Sequence, residues 1–267
     1  MNIDVSTLKG VSETLLIPLM GRALEHDKPN GILQDPKSVE IFEHLDYDFK
    51  KFQNKPSERS FLRTTIRTAI IDQWVQPFLE DNPGMTVVEI GCGLNTRFER
   101  LDNGKVTWFD LDVPEVMPVW NRFFDNNPRR RFLPFSAFDE GWMPQIKNES
   151  QGPFLFISEA SVIYFPEKNI KHLFQSLHQN FQGHHYLFDS ATPAFLKALK
   201  KSNDALIHCG VNFKWTAEDS EIYKKWIPGL EILKTLDLEK TDHQFSSFYP
   251  ESFQAGEHGY RLNLVRI

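Results

Sequence analysis

The chain has 267 residues, 40 % of them hydrophobic, and a formal net charge of −6, a length and composition that suit one large α/β unit with an ample core. No apolar run approaches the roughly 20 residues of a membrane span, and the sole dense basic cluster is Arg129-Arg130-Arg131, so neither a membrane nor a nucleic acid is an expected partner. Two cysteines are too few for a disulfide framework or a zinc cluster, which makes a metal unexpected and a reducing, cytoplasmic setting fitting; the start MNIDVSTLKG also lacks the basic and apolar blocks of a secretion signal.

In chain order, Ser12 to Ala23 reads as a helical start with Ser12 as N-cap and with Pro18 and Gly21 as interruptions. Asp35-Pro36 has the N-cap and first-turn chemistry for a helix through Val39, Ile41, Phe42 and Leu45. Asp46 to Pro56, charged and aromatic, reads as a loop. A helix is predicted from about Phe61 to Leu79, behind Ser57 or Ser60 as cap and ended by Asn82-Pro83-Gly84. Residues 1–82 are thus expected to form a helical N-terminal extension ahead of an α/β domain over 83–267. Order alone allows that extension to be a lid over the ligand end of a sheet, or helices packed on one of its faces.

The stretch Thr86 to Thr96, TVVEIGCGLNT, then breaks a buried strand into a glycine turn that opens a helix. Such a turn can hold a nucleotide-type ligand: Gly91 and Gly93 would let backbone approach closely, and the free N–H groups of the helix start would face it. Asp112 follows Gly91 by 21 positions, at the end of the apolar run from Val106, where a carboxylate can accept both hydroxyls of a ribose. A dinucleotide fold wants G-x-G-x-x-G, but the third position is Thr96, and Glu89 precedes the turn. An acid just before G-x-G without the third glycine is the pattern of class I S-adenosylmethionine-dependent methyltransferases, with Glu89 near the cationic methionine end.

Beyond Asp112 the α/β rhythm continues. A helix over Val116 to Phe124, a strand over Phe132 to Phe135 ending near Asp139, and the strand FLFIS delivering Glu159 follow in turn. A helix opened by Pro166 runs through Ile170, Leu173, Phe174 and Leu177; a strand over His185 to Phe188 ends at Asp189, and Pro193 to Lys200 reads as a helix. Phe213 to Trp215 reads as a short edge strand and Ala217 to Trp226 as a helix. Glu231 to Leu238 and Tyr260 to Ile267 then close the chain as a strand pair. The expected fold is α/β, a Rossmann-like seven-stranded sheet with one antiparallel strand. The 23 phenylalanines supply core and can also line a pocket for a flat or apolar substrate.

Four segments in order, RTAIIDQW, VVEIGCGLNTRFERL, WFDLDVPEV and FLFISEASVIYF, together with the upstream LLIPLMGRALE and ILQDPKSVE, resemble the leucine carboxyl methyltransferase superfamily, in particular its branch similar to tetracenomycin-type polyketide O-methyltransferases. The resemblance implies S-adenosyl-L-methionine as methyl donor. It implies that Arg67 pairs with the methionine carboxylate, a role suited to a bidentate guanidinium, that Gly91 and Gly93 form the turn beneath the cofactor, and that Asp112 binds the ribose, with Asp110 as the alternative. It further implies Asp139 near the adenine amino group and Glu159 near the methionine part. Asn95 stands where the family commonly has Asp; it keeps a side chain able to cap the helix.

The implied activity is O-methylation of a carboxylate or hydroxyl of a small molecule. A carboxylate is already ionised at pH 7 and needs no base, whereas a hydroxyl profits from one, and none of the nine histidines is in a context that identifies it. Tyr164 and Arg22 are the candidates for contact with the acceptor. Methylation of a protein C-terminal carboxylate, a nicotinamide-dependent dehydrogenase and a cofactor-binding protein without turnover are the competing readings.

Overall fold

The computed structural model describes residues 3–52, 55–201, 205–240, 244–248 and 259–267. Near the N-terminus two short strands, β1 (Ile3–Asp4) and β2 (Leu45–Asp46), pair in parallel. The chain then supplies seven strands to one sheet: β3 (Thr86–Ile90), β4 (Thr107–Asp112), β5 (Arg130–Pro134), β6 (Phe154–Ser158), β7 (His185–Ala191), β8 (Glu231–Asp237) and β9 (Tyr260–Arg266). All five residues of β3 and of β6 are buried, as required of central strands covered on both faces.

The strand order is β5-β4-β3-β6-β7-β9-β8. Neighbours from β5 to β7 are parallel, and β9 is antiparallel to both β7 and β8. The expected seven-stranded layout with one reversed strand is therefore the one observed. Order reverses between β3 and β6, so the carboxyl ends of these two strands frame the crevice where an open α/β sheet binds its ligand.

Among the described residues, three helices precede the sheet: α1 (Leu16–His26), α2 (Pro36–His44) and α3 (Lys55–Asp81). Seven follow within it, α4 (Arg97–Leu101), α5 (Met117–Phe123), α6 (Trp142–Glu149), α7 (Glu167–Phe181), α8 (Pro193–Leu199), α9 (Ala205–His208) and α10 (Glu221–Trp226). In α7 the apolar stripe Ile170, Leu173, Phe174 and Leu177 is buried, which is the 3.6-residue periodicity expressed as packing. Among the described residues, no helix is long and apolar enough to cross a membrane.

The differences from the sequence reading have physical causes. Ser12 does not cap α1; it begins a 3₁₀ turn, Ser12–Leu15, that runs into the helix. Pro18 lies in the first turn of α1, where a missing N–H is tolerated, and Gly21 does not interrupt the helix. A Cβ on Gly21 would sit 2.9 Å from Thr64 Oγ1 and 3.1 Å from Phe61 O, so glycine there lets α1 cross α3 closely. α3 begins at Lys55, six residues before the predicted start at Phe61. The loop expected over 46–56 contains a 3₁₀ turn, Phe49–Phe52, while positions 53 and 54 lie outside the described residues. Phe213 to Trp215 forms no strand; the Lys214 and Trp215 amides donate to Ile163 O at 3.0 and 3.3 Å instead. The helix expected over Ala217 to Trp226 starts only at Glu221, and α6 was not foreseen.

Asp35 joins the N-terminal helices to the sheet. It caps α2 by accepting from Ser38 N at 3.0 Å, and its Oδ2 accepts from Arg22 Nε at 3.0 Å, Arg100 Nη1 at 2.9 Å and Thr96 Oγ1 at 2.5 Å. Burial pushes this carboxyl up, but Arg100 and Arg22, with Thr96 and the Ser38 amide, hold it below its ordinary 3.8. A carboxylate held low stabilises the fold above that ordinary value, and the contribution is lost as the pH falls from there through the lowered value in the folded protein. Asp35→Ala leaves two buried guanidiniums without this partner, and urea unfolding at pH 7 is expected to show a loss of about 3–5 kcal/mol. The gap between wild type and variant should narrow below about pH 4; a pH-independent difference would contradict the assignment.

Candidate active site

The turn that follows β3 is built by two residues in the left-handed region, Gly91 at φ 70° and Gly93 at φ 53°. The amides of Gly91 and Cys92 both donate to Leu111 O of β4, at 2.7 and 3.2 Å. A Cβ on Gly91 would fall well inside contact distance of Ser161 Cβ and 2.9 Å from its Oγ, and one on Gly93 would lie 3.0 Å from Leu15 Cβ. Both positions therefore demand glycine for backbone conformation and for neighbouring protein atoms. That reason operates without any ligand.

Asp112, the last residue of β4, accepts from Gly93 N through Oδ2 and from Val113 N through Oδ1, each at 2.7 Å. Burial, only partly offset by these two amides, pushes its carboxyl up to about 6. Asp112 and the glycine turn line a cavity of about 220 Å³. The opposite wall is one face of α3, where Ser60, Arg63, Thr64 and Arg67 line up at helical spacing. The turn after β5, from Phe135 to Phe138, and the segment after β6, from Glu159 to Val162, complete it.

Behind the cavity runs a buried ion network. Arg67 Nε donates to Glu159 Oε1 at 2.9 Å, and Arg67 Nη1 lies 3.4 Å from Tyr260 Oη. Thr68 Oγ1 adds a 2.7 Å bond to the same Glu159 oxygen. Arg97, fully buried, reaches three carboxylates: Asp72 at 2.7 Å, and Glu89 and Glu159 by closer contacts. Arg100 closes the circuit through Asp72, at 2.6 Å, back to Asp35. Despite its burial, Glu159 is held far below the usual carboxylate range by Arg67 and Arg97. Glu89 goes the other way: burial, reinforced by Asp110 and Glu159, pushes it up to about 7 against the pull of Arg97.

Of the residues singled out in the sequence, Arg67, Gly91, Gly93, Asp112 and Glu159 meet around the cavity, and Tyr164 and Arg22 also line it. Arg22 is committed elsewhere, since Nε binds Asp35 and Nη2 donates to Leu94 O at 2.9 Å. Glu89 does not line the cavity; its partners are Arg97 and Asn95, the latter at 2.7 Å. Asp110 lies one residue pair deeper in β4, where it accepts from Arg130 Nε at 2.6 Å. Asp139 is exposed and accepts from Ser136 N at 3.2 Å, while the turn it closes, rather than its carboxylate, lines the cavity.

Sequence reasoning did not find Arg97, Arg100, Asp72 or Tyr260. A signal existed for the α3 side: Ser60, Thr64, Thr68 and Asp72 recur every four residues and are all buried, a polar stripe that only a polar interior explains. Tyr260 carried none, because it arrives from β9 and donates to Asp189 Oδ2 at 2.6 Å. Asn95 bridges two carboxylates that would otherwise repel, since its Nδ2 donates to Glu89 at 2.7 Å and to Glu159 at 3.3 Å.

The sequence profile of the family described as leucine carboxyl methyltransferase matches residues 16–178. A tetracenomycin polyketide synthesis O-methyltransferase from Streptomyces glaucescens is 28 % identical over 226 residues, covering 84 % of this chain and 82 % of that protein. An S-adenosyl-L-methionine-dependent methyltransferase from Gibberella zeae is 26 % identical over 243 residues, covering 84 % and 81 %. Among solved structures, a SAM-dependent methyltransferase from Anabaena variabilis shares the fold, with a TM-score of 0.53 at 14 % identity over 75 % of this chain and 84 % of that one.

The glycine turn yields a test that needs no ligand. Gly91→Ala combines a left-handed backbone with a collision against Ser161, and thermal unfolding should report a loss of about 3 kcal/mol. Adding Ser161→Gly removes the collision but not the backbone cost, so the double variant should recover about half. No recovery would mean that conformation alone fixes the residue.

Proposed function

The chain belongs to the leucine carboxyl methyltransferase family, and from that premise we propose that it methylates a carboxylate of a small, largely apolar molecule. It is an S-adenosylmethionine-dependent methyltransferase. Two observations make the cavity a fit for that cofactor. Arg67 offers Nη2, which has no hydrogen-bond partner among the described residues, to an incoming carboxylate. Asp112, at the opposite end of the glycine turn, keeps lone pairs for a vicinal diol beside its two amide bonds.

In this reading Arg67 holds the methionine carboxylate, Asp112 the ribose, and the Gly91–Gly93 turn forms the floor. Glu159 and Tyr260 orient the Arg67 fork, and Glu89 acts only through Arg97 and Asn95. When bound, S-adenosylmethionine supplies a methyl group on a sulfonium centre that leaves as a neutral thioether. The protein's part is to place the acceptor oxygen in line and to exclude water.

The observation that carries the choice of acceptor is that the described residues of the cavity wall present no usable base. Neither His nor Lys lines it among the described residues. Glu159 is held too low to take a proton, and burial pushes the Tyr164 hydroxyl far above neutrality, so that it stays protonated. Asp112 lies at the far, turn-side end. An acceptor that arrives already ionised needs none of these groups, and a carboxylate meets that condition at neutral pH. The aromatic wall made by Tyr164, Phe195, Phe213 and Tyr260 suits a flat, apolar acid better than a peptide terminus. The buried free thiols of Cys92 and Cys209 are compatible with a reducing, cytoplasmic setting.

Isothermal titration with S-adenosylhomocysteine should show binding by wild type and losses of about tenfold or more in Arg67→Ala and in Asp112→Ala. Since the carboxyl of Asp112 sits at about 6, it is ionised at pH 7.5 and protonated at pH 5. Affinity should then fall by up to about tenfold per pH unit below that point, and Asp112→Asn should flatten the profile. Labelled methyl transferred from S-adenosylmethionine into a fractionated metabolite extract should be released by mild alkali. Alkali-resistant label would show an ether and refute the carboxylate assignment.

A further inference from the structure

Asp189 is buried beside the cavity without lining it. It faces Leu262 across the antiparallel β7–β9 pair, so Tyr260, two residues from Leu262, stands on the same face of the sheet as its diagonal neighbour. The Tyr260 hydroxyl donates to Asp189 Oδ2 at 2.6 Å, and the Ala160 amide donates to the same oxygen at 2.7 Å. Arg67 Nε lies 3.7 Å from that oxygen, within ion-pair range but too far for a hydrogen bond.

Charge fixes the direction of these bonds. Burial pushes the Asp189 carboxyl up to about 6 despite Arg67, so at pH 7.5 it is ionised and can only accept. Burial, with Asp189 alongside, pushes the Tyr260 hydroxyl far above neutrality, so it keeps its one proton and directs it at Asp189. What Tyr260 turns toward Arg67 Nη1, 3.4 Å away, is therefore a lone pair. Arg67 Nε meanwhile donates at 2.9 Å to Glu159, the residue just before Ala160. Ala160 adopts φ 49°, a left-handed conformation that a side chain disfavours, and its amide is the one that Asp189 binds. Both restraints on the Arg67 fork, the phenol at Nη1 and the carboxylate at Nε, thus lead back to one oxygen of Asp189.

We propose that Asp189 is a positioning residue for the methyl donor: acting through Tyr260 and through the Ala160 amide, it aims Nη2 of Arg67 at the methionine carboxylate. This rests on the assignment of Arg67 to that carboxylate above. A merely structural Asp189 would affect every ligand of the cavity alike, whereas a positioning residue affects those that carry the carboxylate.

The test is isothermal titration at pH 7.5 with S-adenosylhomocysteine and with its decarboxylated analogue S-adenosyl-3-thiopropylamine, which keeps the adenosine, thioether and amine. Wild type should bind S-adenosylhomocysteine at least about tenfold more tightly than the analogue. In Tyr260→Phe and in Asp189→Ala that ratio should fall about fivefold, with affinity for the analogue within about twofold of wild type, which also shows that the variants are folded. The double variant should lose no more than Asp189→Ala, because the two residues act in series. Asp189→Asn, which keeps an acceptor oxygen, should retain most of the ratio. Equal losses for both ligands in the single variants, additive losses in the double variant, or tighter S-adenosylhomocysteine binding by Asp189→Ala, which would make the acid a competitor for Arg67, each overturn the proposal. If Asp189→Ala binds neither ligand, Tyr260→Phe decides alone, and an unchanged ratio there overturns the proposal while leaving the Arg67 assignment intact. Failure of wild type to prefer S-adenosylhomocysteine over the analogue overturns both.

Discussion

Glu159 is the group on which the rest of the site depends. Its carboxylate sits at the end of the central strand β6 and is shared by Arg67 from α3 and Arg97 from α4, with Thr68 and Asn95 filling its remaining lone pairs. Removing a carboxylate from water costs several kcal/mol, and the protein offsets this only by saturating it with donors. The same saturation fixes the position of Arg67 and therefore the geometry of one end of the cavity. Arg97 plays the converse part, being one cation among three acids.

The network extends beyond the site. Asp72 and Asp35 pass the alternation of charge on through Arg100 to Arg22, and Arg22 ends on Leu94 O in the glycine turn. α1, α2 and α3 are thereby tied to the carboxyl ends of β3 and β6 through charged groups whose separation would strand them in a dry interior. Gly21, which allows α1 to approach α3, and Gly93, against which Leu15 packs, serve the same attachment with apolar contacts. By these means α1 and α3 form a wall of the cavity.

The cavity consequently has two chemically distinct ends. Near Asp112 backbone amides and a carboxylate offer hydrogen bonds, while near Phe195 and Phe213 aromatic surface dominates, with Arg63 packed on the Phe195 ring. Arg67 lies on the α3 wall they share. A site of this form holds a polar ligand rigidly at one end and selects an apolar partner by shape at the other.

Much of this was legible in the chain. Strands such as Thr86–Ile90 and Phe154–Ser158, the Asp35 cap and the apolar stripe of α7 follow from local periodicity and capping chemistry, which depend on neighbours a few residues away. Arg67, Asp112 and Glu159 could be named because each occupies a motif, and the same motifs carried the family. The sequence could not show that Gly91 is required by Ser161, that Asp110 is absorbed by Arg130, that Asp139 points to solvent, or that Arg97 lies between Asp72, Glu89 and Glu159. Nor could it set Arg63 beside Phe195 and Glu239. Many of those pairings join residues tens to well over a hundred positions apart, and a carboxylate's role is decided by which donor reaches it and by how much water remains. The sequence by itself determined most of the elements, the family and the residue types available for chemistry; the tertiary structure alone decided which of them are paired with one another and which still face the cavity.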